Sequence, residues 1–200
     1  DSAINPTRGA YQRAGFEVSP GPDIKYYKAT YKHQRFFPVT RNVILMLNGE
    51  LGYGKGIGGQ ELPFYKNFYA GGVETVRGYD SSSLGPYEMS SSGDPVRLGG
   101  TRRVIFNAEL TFPMPGFGAD KSVRFGPFFD AGQVYSSDKK LSGTCTVGNV
   151  CDQGPVRMSA GIAATWISPL GPLKFSLAQP LNKQENDTIQ RFQFQMGQTF

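Results

Sequence analysis

The chain has 200 residues, a formal net charge of +5, 38% hydrophobic and 13% aromatic residues, and 26 glycines. Glycine and aromatics are poor helix formers, and aromatics this abundant argue against disorder, so a helical bundle and an unstructured chain are both excluded. No apolar run approaches the roughly 18 residues of a membrane-spanning helix, but a transmembrane β-barrel stays open, because its strands need apolar residues only at alternate positions.

The first strand is predicted over residues 9–18, with Phe16 and Val18 on one face. Ser19-Pro20-Gly21-Pro22-Asp23 is a turn, and residues 25–37 form a long, aromatic and charged strand ended by Phe37-Pro38. Residues 45–53 alternate Leu45, Leu47, Leu51 and Tyr53 with Met46, Asn48, Glu50 and Gly52. A long loop spans 54–101. Residues 104–112 set Val104, Phe106, Ala108, Leu110 and Phe112 against Ile105, Asn107, Glu109 and Thr111, which is period two. After Pro113-Met114-Pro115-Gly116, residues 123–135 set Val123, Phe125, Phe129, Ala131 and Tyr135 against Arg124, Gly126, Phe128, Asp130 and Gly132. A loop over 136–156 leads to residues 158–166, where Met158, Ala160, Ile162, Ala164 and Trp166 oppose Ser159, Gly161, Ala163 and Thr165. Ser168-Pro169-Leu170-Gly171-Pro172 is a tight link to residues 173–181. After a loop over 182–190, residues 192–200 alternate Phe192, Phe194, Met196 and Phe200 with Gln193, Gln195, Gly197 and Thr199. The expectation is an all-β, antiparallel, eight-stranded single domain over 1–200 with 54–101 as a long insertion.

Short turns alternate with long loops, which places short connections on one side of the sheet and long ones on the other, as in an outer-membrane barrel. Tyr53, Tyr135, Trp166 and Phe200 sit near strand ends on the apolar faces, where an interfacial girdle would lie. The opposite faces carry Gly, Ser, Asn and Gln with isolated charges. A transmembrane β-barrel is the favoured reading; a soluble sandwich, which would bury the apolar faces between two sheets, is the alternative.

Few motifs carry chemistry. Gly54, Gly56 and Gly59 match a dinucleotide spacing, but no helical pattern comes after them. Gly49 to Lys55 spells GxxxxGK with Gly56 where a magnesium-binding hydroxyl is needed. The single histidine, His33, lies in a strand rich in Tyr and Lys, so no nucleophile–base pair is expected. Cys145 and Cys151 read as a local disulfide, with two free thiols as the alternative; no CxxC pair supports a metal. Asn186-Asp187-Thr188 fits a glycosylation sequon, which means little outside a secretory eukaryotic setting. The basic residues are not clustered, so no nucleic-acid partner is expected. No cofactor, metal or enzymatic activity is expected. The absence of a signal-peptide pattern after Asp1 suggests a mature product or a fragment. The segment 54–101 stands apart: it is long, yet Phe64, Tyr65, Phe68, Tyr69, Val73, Val76, Tyr79 and Leu84 give it material to pack, so it is read as functional.

Phe68-Tyr69-Ala70-Gly71-Gly72, then Val76-Arg77-Gly78-Tyr79 and Leu84-Gly85-Pro86, resembles the sixth extracellular loop of the BamA family, the central barrels of the bacterial outer-membrane assembly machine. Phe128-Phe129-Asp130-Ala131-Gly132 is similar to that family's thirteenth strand. Arg157 to Ile162 and the Ser168–Leu173 turn are similar to its fourteenth strand and the turn beyond it. Phe192 to Phe200 is similar to its closing strand. TamA-type and two-partner secretion barrels of the same superfamily share the VRGY core. The departures are eight strands where the family has sixteen, no POTRA domain, and cysteines in the seventh loop position instead of the sixth.

The resemblance implies a barrel in the Gram-negative outer membrane that inserts client barrel proteins. Its sixth loop would fold into the lumen, with Arg77 of the Val76-Arg77-Gly78-Tyr79 motif meeting Asp130 and Glu109. Both carboxylates fall on the polar faces by periodicity as well. The last strand, with Phe192, Phe194 and Phe200, would be a lateral gate, and Gly197 a kink point within it. Expected partners are outer-membrane lipids, unfolded client barrels, and accessory lipoproteins through a missing N-terminal region. Eight strands alone would close as a small barrel with the long loop outside, associate as half barrels, or belong to a longer protein. The fragment by itself is expected to be inactive.

Overall fold

The computed structural model describes residues 6–21, 23–114, 122–137, 147, 149–151, 154–168 and 171–197. Thirteen strands are present in it: β1 (Gly9–Pro20), β2 (Lys25–Pro38), β3 (Ile44–Gly56), β4 (Gly78–Tyr79), β5 (Tyr87–Met89), β6 (Pro95–Arg97), β7 (Arg102–Pro113), β8 (Val123–Tyr135), β9 (Val150–Cys151), β10 (Arg157–Ser168), β11 (Gly171–Pro180), β12 (Ile189–Gln190) and β13 (Phe192–Met196). Eight of them form one antiparallel sheet in the order β1-β2-β3-β7-β8-β10-β11-β13. Every neighbour in that sheet is also the next long strand in the chain, so the sheet is a meander. It contains the eight strands expected from the period-two segments.

The burial pattern is inverted relative to a soluble sheet. On β7, Val104 and Phe106 are exposed while Ile105, Asn107 and Glu109 are buried. On β10 and β11, Met158, Ile162, Trp166 and Leu177 are exposed while Ser159 and Ser176 are buried. The polar face is thus the covered one. An apolar face presented outward is the arrangement of a lipid-facing barrel wall. A sandwich does not fit, because among the described residues no second sheet covers that face.

Among the described residues no ladder joins β1 to β13. Among the described residues the eight strands thus form an open sheet. Their polar side is a concave surface occupied by the long loop, so the alternative of a small closed barrel with this loop outside is corrected. The physical reason is volume: eight strands in a closed barrel leave room only for side chains, whereas an open curved sheet accommodates a whole segment.

Nor is the loop structureless. After β3 it carries a single 3-10 turn (Phe64–Lys66) and the strands β4, β5 and β6. β5 pairs β6 and β9, and β4 pairs β12, so the loop regions 54–101, 136–156 and 182–190 are joined to one another. Phe68, Ala70, Val76, Tyr79, Leu84, Ile105 and Val134 form an apolar cluster, with Ile189 packed against it. Five of these seven residues come from the loop itself. It brings its own core.

The inward side of β3 explains where the loop returns. Gly52, Gly54 and Gly56 share the inner face. A Cβ on Gly52 would lie 2.6 Å from the Phe68 ring, and one on Gly54 would lie 2.8 Å from Leu62. One on Gly56 would lie 2.0 Å from the Gln60 carbonyl oxygen. Gly54 and Gly56, two glycines of the spacing that mimics a nucleotide-binding motif, thus belong to a bare strip of strand against which the chain doubles back, while Gly59 lies beyond the strand.

Candidate functional site

Arg77 lies at the centre of the concave face and is 2% exposed. It is delivered by the segment leading into β4. Its Nε donates to Asp130 Oδ2 at 2.7 Å and its Nη2 to Asp130 Oδ1 at 2.9 Å, a two-pronged pair. The Arg77 backbone N–H also donates to Asp130 Oδ2, at 3.1 Å. Its Nη1 donates to Glu109 Oε2 at 2.6 Å. The guanidinium carbon stands 3.5 Å from the centre of the Phe128 ring. Phe128 is paired with Gly161 across β8 and β10, and a Cβ there would meet the ring at 2.8 Å. The ring lies over that bare position, beneath the cation.

The site is charge-balanced. Lys174 Nζ donates to Glu109 Oε2 at 3.2 Å, so two cations face two carboxylates. Asn107 Nδ2 donates to Asp130 Oδ1 at 2.9 Å and to the Thr75 carbonyl at 2.6 Å, and Asn48 Nδ2 donates to Asn107 Oδ1 at 2.9 Å. Burying one charge uncompensated would cost several kcal/mol; here each is paired and hydrogen-bonded. Beside the network is a cavity of about 270 Å³, lined by Lys32, Glu50, Glu109, Arg77, Lys174 and Gln195 among others. Its charged lining suits water.

The remaining motif residues meet the last strands. Gln193 of β13 accepts from the Gly78 N–H at 3.4 Å and donates from Nε2 to the Tyr79 carbonyl at 2.7 Å. Gln195 donates to Glu74 Oε1 at 3.1 Å. Gly78 has φ +90°, and a Cβ there would sit 3.0 Å from the Ala178 Cβ. The Tyr79 hydroxyl donates to the Met158 carbonyl at 3.2 Å; burial pushes its pKa up to about 12, so it stays neutral. Val76 is fully buried in the loop core. At the opposite end of the loop, Lys66 pairs with Glu17 of β1, and Lys28 Nζ donates to the Lys66 carbonyl at 2.8 Å. The loop is thus held at the first strands, the middle strands and the last strand of the sheet.

Arg77, Asp130 and Glu109 are therefore brought together, with Val76, Gly78 and Tyr79 around them. Phe192 and Phe194 point outward from β13, exposed, and the Phe194 ring stacks obliquely on Phe175 at 5.0 Å. Gly197 lies just past the end of β13, not within it: its φ of +82° marks a bend, and its N–H donates to the Pro172 carbonyl at 3.0 Å. The bend expected at Gly197 therefore falls at the end of the described strand. Phe200 lies outside the described residues. So does Cys145, while Cys151 is fully buried in β9. Sequence reasoning missed Lys174, Asn107, Phe128 and Gln193 as members of the site. The available signal was Lys174, the one charge in its strand and on the polar face; the glutamines offered none.

The chain matches the Omp85 superfamily domain over residues 1–200. It is 44% identical over 216 residues to the outer membrane protein assembly factor BamA of Neisseria meningitidis, covering 100% of this chain and 27% of the relative. It is 30% identical over 205 residues to BamA of Nitratidesulfovibrio vulgaris, covering 100% of this chain and 24% of that protein. The chain thus spans about a quarter of the length of these curated relatives. The crystal structure of BamA from Haemophilus ducreyi lacking POTRA domains 1–3 superposes with a TM-score of 0.84 at 34% identity, covering 100% of this chain and 41% of the other. With an inside-out antiparallel meander, a loop folded onto its polar face and a family match along its whole length, the chain belongs to the Omp85 superfamily.

Proposed function

We propose that this chain forms the closing wall of an outer-membrane barrel that folds and inserts other β-barrel proteins. The observation that carries the reading is the Arg77 segment. It is buried on the lumen face, bonded at once to the wall carboxylates Asp130 and Glu109 and, through Gly78 and Tyr79, to Gln193 of the last strand. The loop is thereby a strut that shapes the wall and reaches the strand expected to move. β13 is the last strand of the sheet, and among the described residues it is paired on one side only, with β11. An opened edge offers unpaired N–H and C=O groups, and an incoming client strand satisfies them by edge addition. That step needs no covalent chemistry, cofactor or nucleotide. The partners are lipids at the apolar face, client barrels at the seam, and accessory lipoproteins bound elsewhere on the full-length protein.

The test uses the full-length protein in phospholipid vesicles, with an unfolded client barrel whose folding is tracked by gel mobility without boiling. Wild type accelerates client folding, and a disulfide joining the last strand to the barrel's first strand abolishes the acceleration. Failure of the wild type to accelerate, or an undiminished rate in the locked form, overturns the reading.

A further inference from the structure

A second buried ion pair lies away from Arg77. Arg157, the first residue of β10, donates from Nε to Asp187 Oδ2 at 2.6 Å and from Nη2 to Asp187 Oδ1 at 3.1 Å. The two side chains are 6% and 3% exposed. Arg157 Nη1 also donates to the Pro155 carbonyl at 2.7 Å, and the Gln184 N–H donates to Asp187 Oδ2 at 2.7 Å. Arg97 of β6 donates to the Asn186 carbonyl and lies 5.0 Å over the Tyr87 ring. Asn186 in turn donates to the Tyr87 hydroxyl at 2.8 Å. Asp187 is thus the buried partner of Arg157 on the barrel wall, and its neighbour Asn186 is held by Arg97 and Tyr87 of the loop hairpin.

The residues immediately after Asp187 tie this pair to the seam. The Thr188 carbonyl accepts from the Asp80 N–H at 2.9 Å, and Ile189 and Gln190 pair with Tyr79 and Gly78. One residue later, the Arg191 carbonyl accepts from the Ala178 N–H at 2.8 Å and β13 begins. The last strand therefore enters the sheet directly from a stretch clamped to the Arg77 segment, and the clamp is seated by Asp187.

We propose that Asp187 is a positioning residue for the seam. By pairing with Arg157 it holds Thr188–Gln190 on Gly78–Asp80, fixes the loop-side end of β13, and confines seam opening to the opposite end of that strand. This role rests on the proposed assembly function. Asn186-Asp187-Thr188 is then a structural junction.

The experiment uses the full-length protein and two variants. In the first, Asp80→Cys and Thr188→Cys are oxidised, and the link is verified by peptide mass mapping, which separates it from any link through Cys145 or Cys151. A fixed end does not move during the cycle, so assembly continues at the wild-type rate; abolished assembly in a folded, cross-linked protein overturns the proposal. In the second, Asp187→Asn is expected to lower the yield of the 80–188 cross-link and to slow client folding by about tenfold, the size of a typical coupling between sites. Oxidising the 80–188 pair in the Asp187→Asn background restores the rate, because the covalent link replaces what the carboxylate held. Unchanged cross-linking and rate in Asp187→Asn, or no recovery on oxidation, overturns the proposal. Should Asp187→Asn fail to fold, the first variant decides alone. Cross-link yields report on the clamp even if the wild type proves to accelerate no client, so the two ideas fail separately.

Discussion

Arg77 is bonded to two carboxylates from different strands, and its backbone N–H is bonded to one of them as well. Removing one partner of a buried pair leaves the other charge unmet, so Arg77→Ala in the full-length protein is expected to destabilise the barrel by about 3–5 kcal/mol. The midpoint of urea unfolding, read by gel mobility without boiling, checks this; an unchanged midpoint would show that the pair is not stabilising in the assembled barrel. Lysine cannot reproduce the two-pronged geometry, and Arg77→Lys should recover only part of the loss. Gly78 is a backbone position. Its φ of +90° and the nearby Ala178 methyl make Gly78→Ala strained by about 1–3 kcal/mol, measurable in the same assay.

At the scale of elements, the strands are unequally paired. β8 and β10 are hydrogen-bonded to a strand on each side, whereas β13 is paired, among the described residues, with β11 alone. Low local stability tracks few neighbouring hydrogen bonds. Hydrogen exchange on the full-length protein in detergent should therefore find the amides of Phe192–Met196 exchanging faster than those of β8 and β10. Equal protection would argue against a weak seam. Cys151 sits fully buried in β9, paired with Tyr87 of β5. A link to Cys145 would tie the loop over 136–156 to itself; intact mass before and after reduction and alkylation distinguishes a disulfide from two thiols.

For the whole molecule, the testable consequence is which side meets lipid. Trp166 is the chain's single tryptophan and lies exposed on the apolar face. In the full-length protein carrying no other tryptophan, refolded into vesicles of bromine-labelled lipid, its fluorescence should be strongly quenched. Quenching by an aqueous quencher instead would place that face in water and reverse the assignment of inside and outside. The outer edges of β1 and β13, which pair with no other strand among the described residues, belong to the same scale: in hydrocarbon an open edge must find a partner.

The alternation of residue types determined much by itself. Eight candidate segments became the eight strands of the sheet, the cleanly alternating ones because side-chain parity is a local property of an extended backbone. The same parity put Glu109 and Asp130 on the polar faces before any contact was visible, and the resemblance of Val76–Tyr79 to the family motif implied where their partner would come from. Parity cannot say how far a loop returns, nor onto what. Only the tertiary structure decided that Gly52, Gly54 and Gly56 form a bare strip for Phe68, Leu62 and the Gln60 backbone, that Lys174 and Gln193 complete the site, and that the loop folds onto the polar face of the sheet. Those features arise between residues far apart in the chain, such as Gln193 and Tyr79. Their meeting depends on strand register and on the loop carrying its own apolar core, neither of which any short window of residues contains.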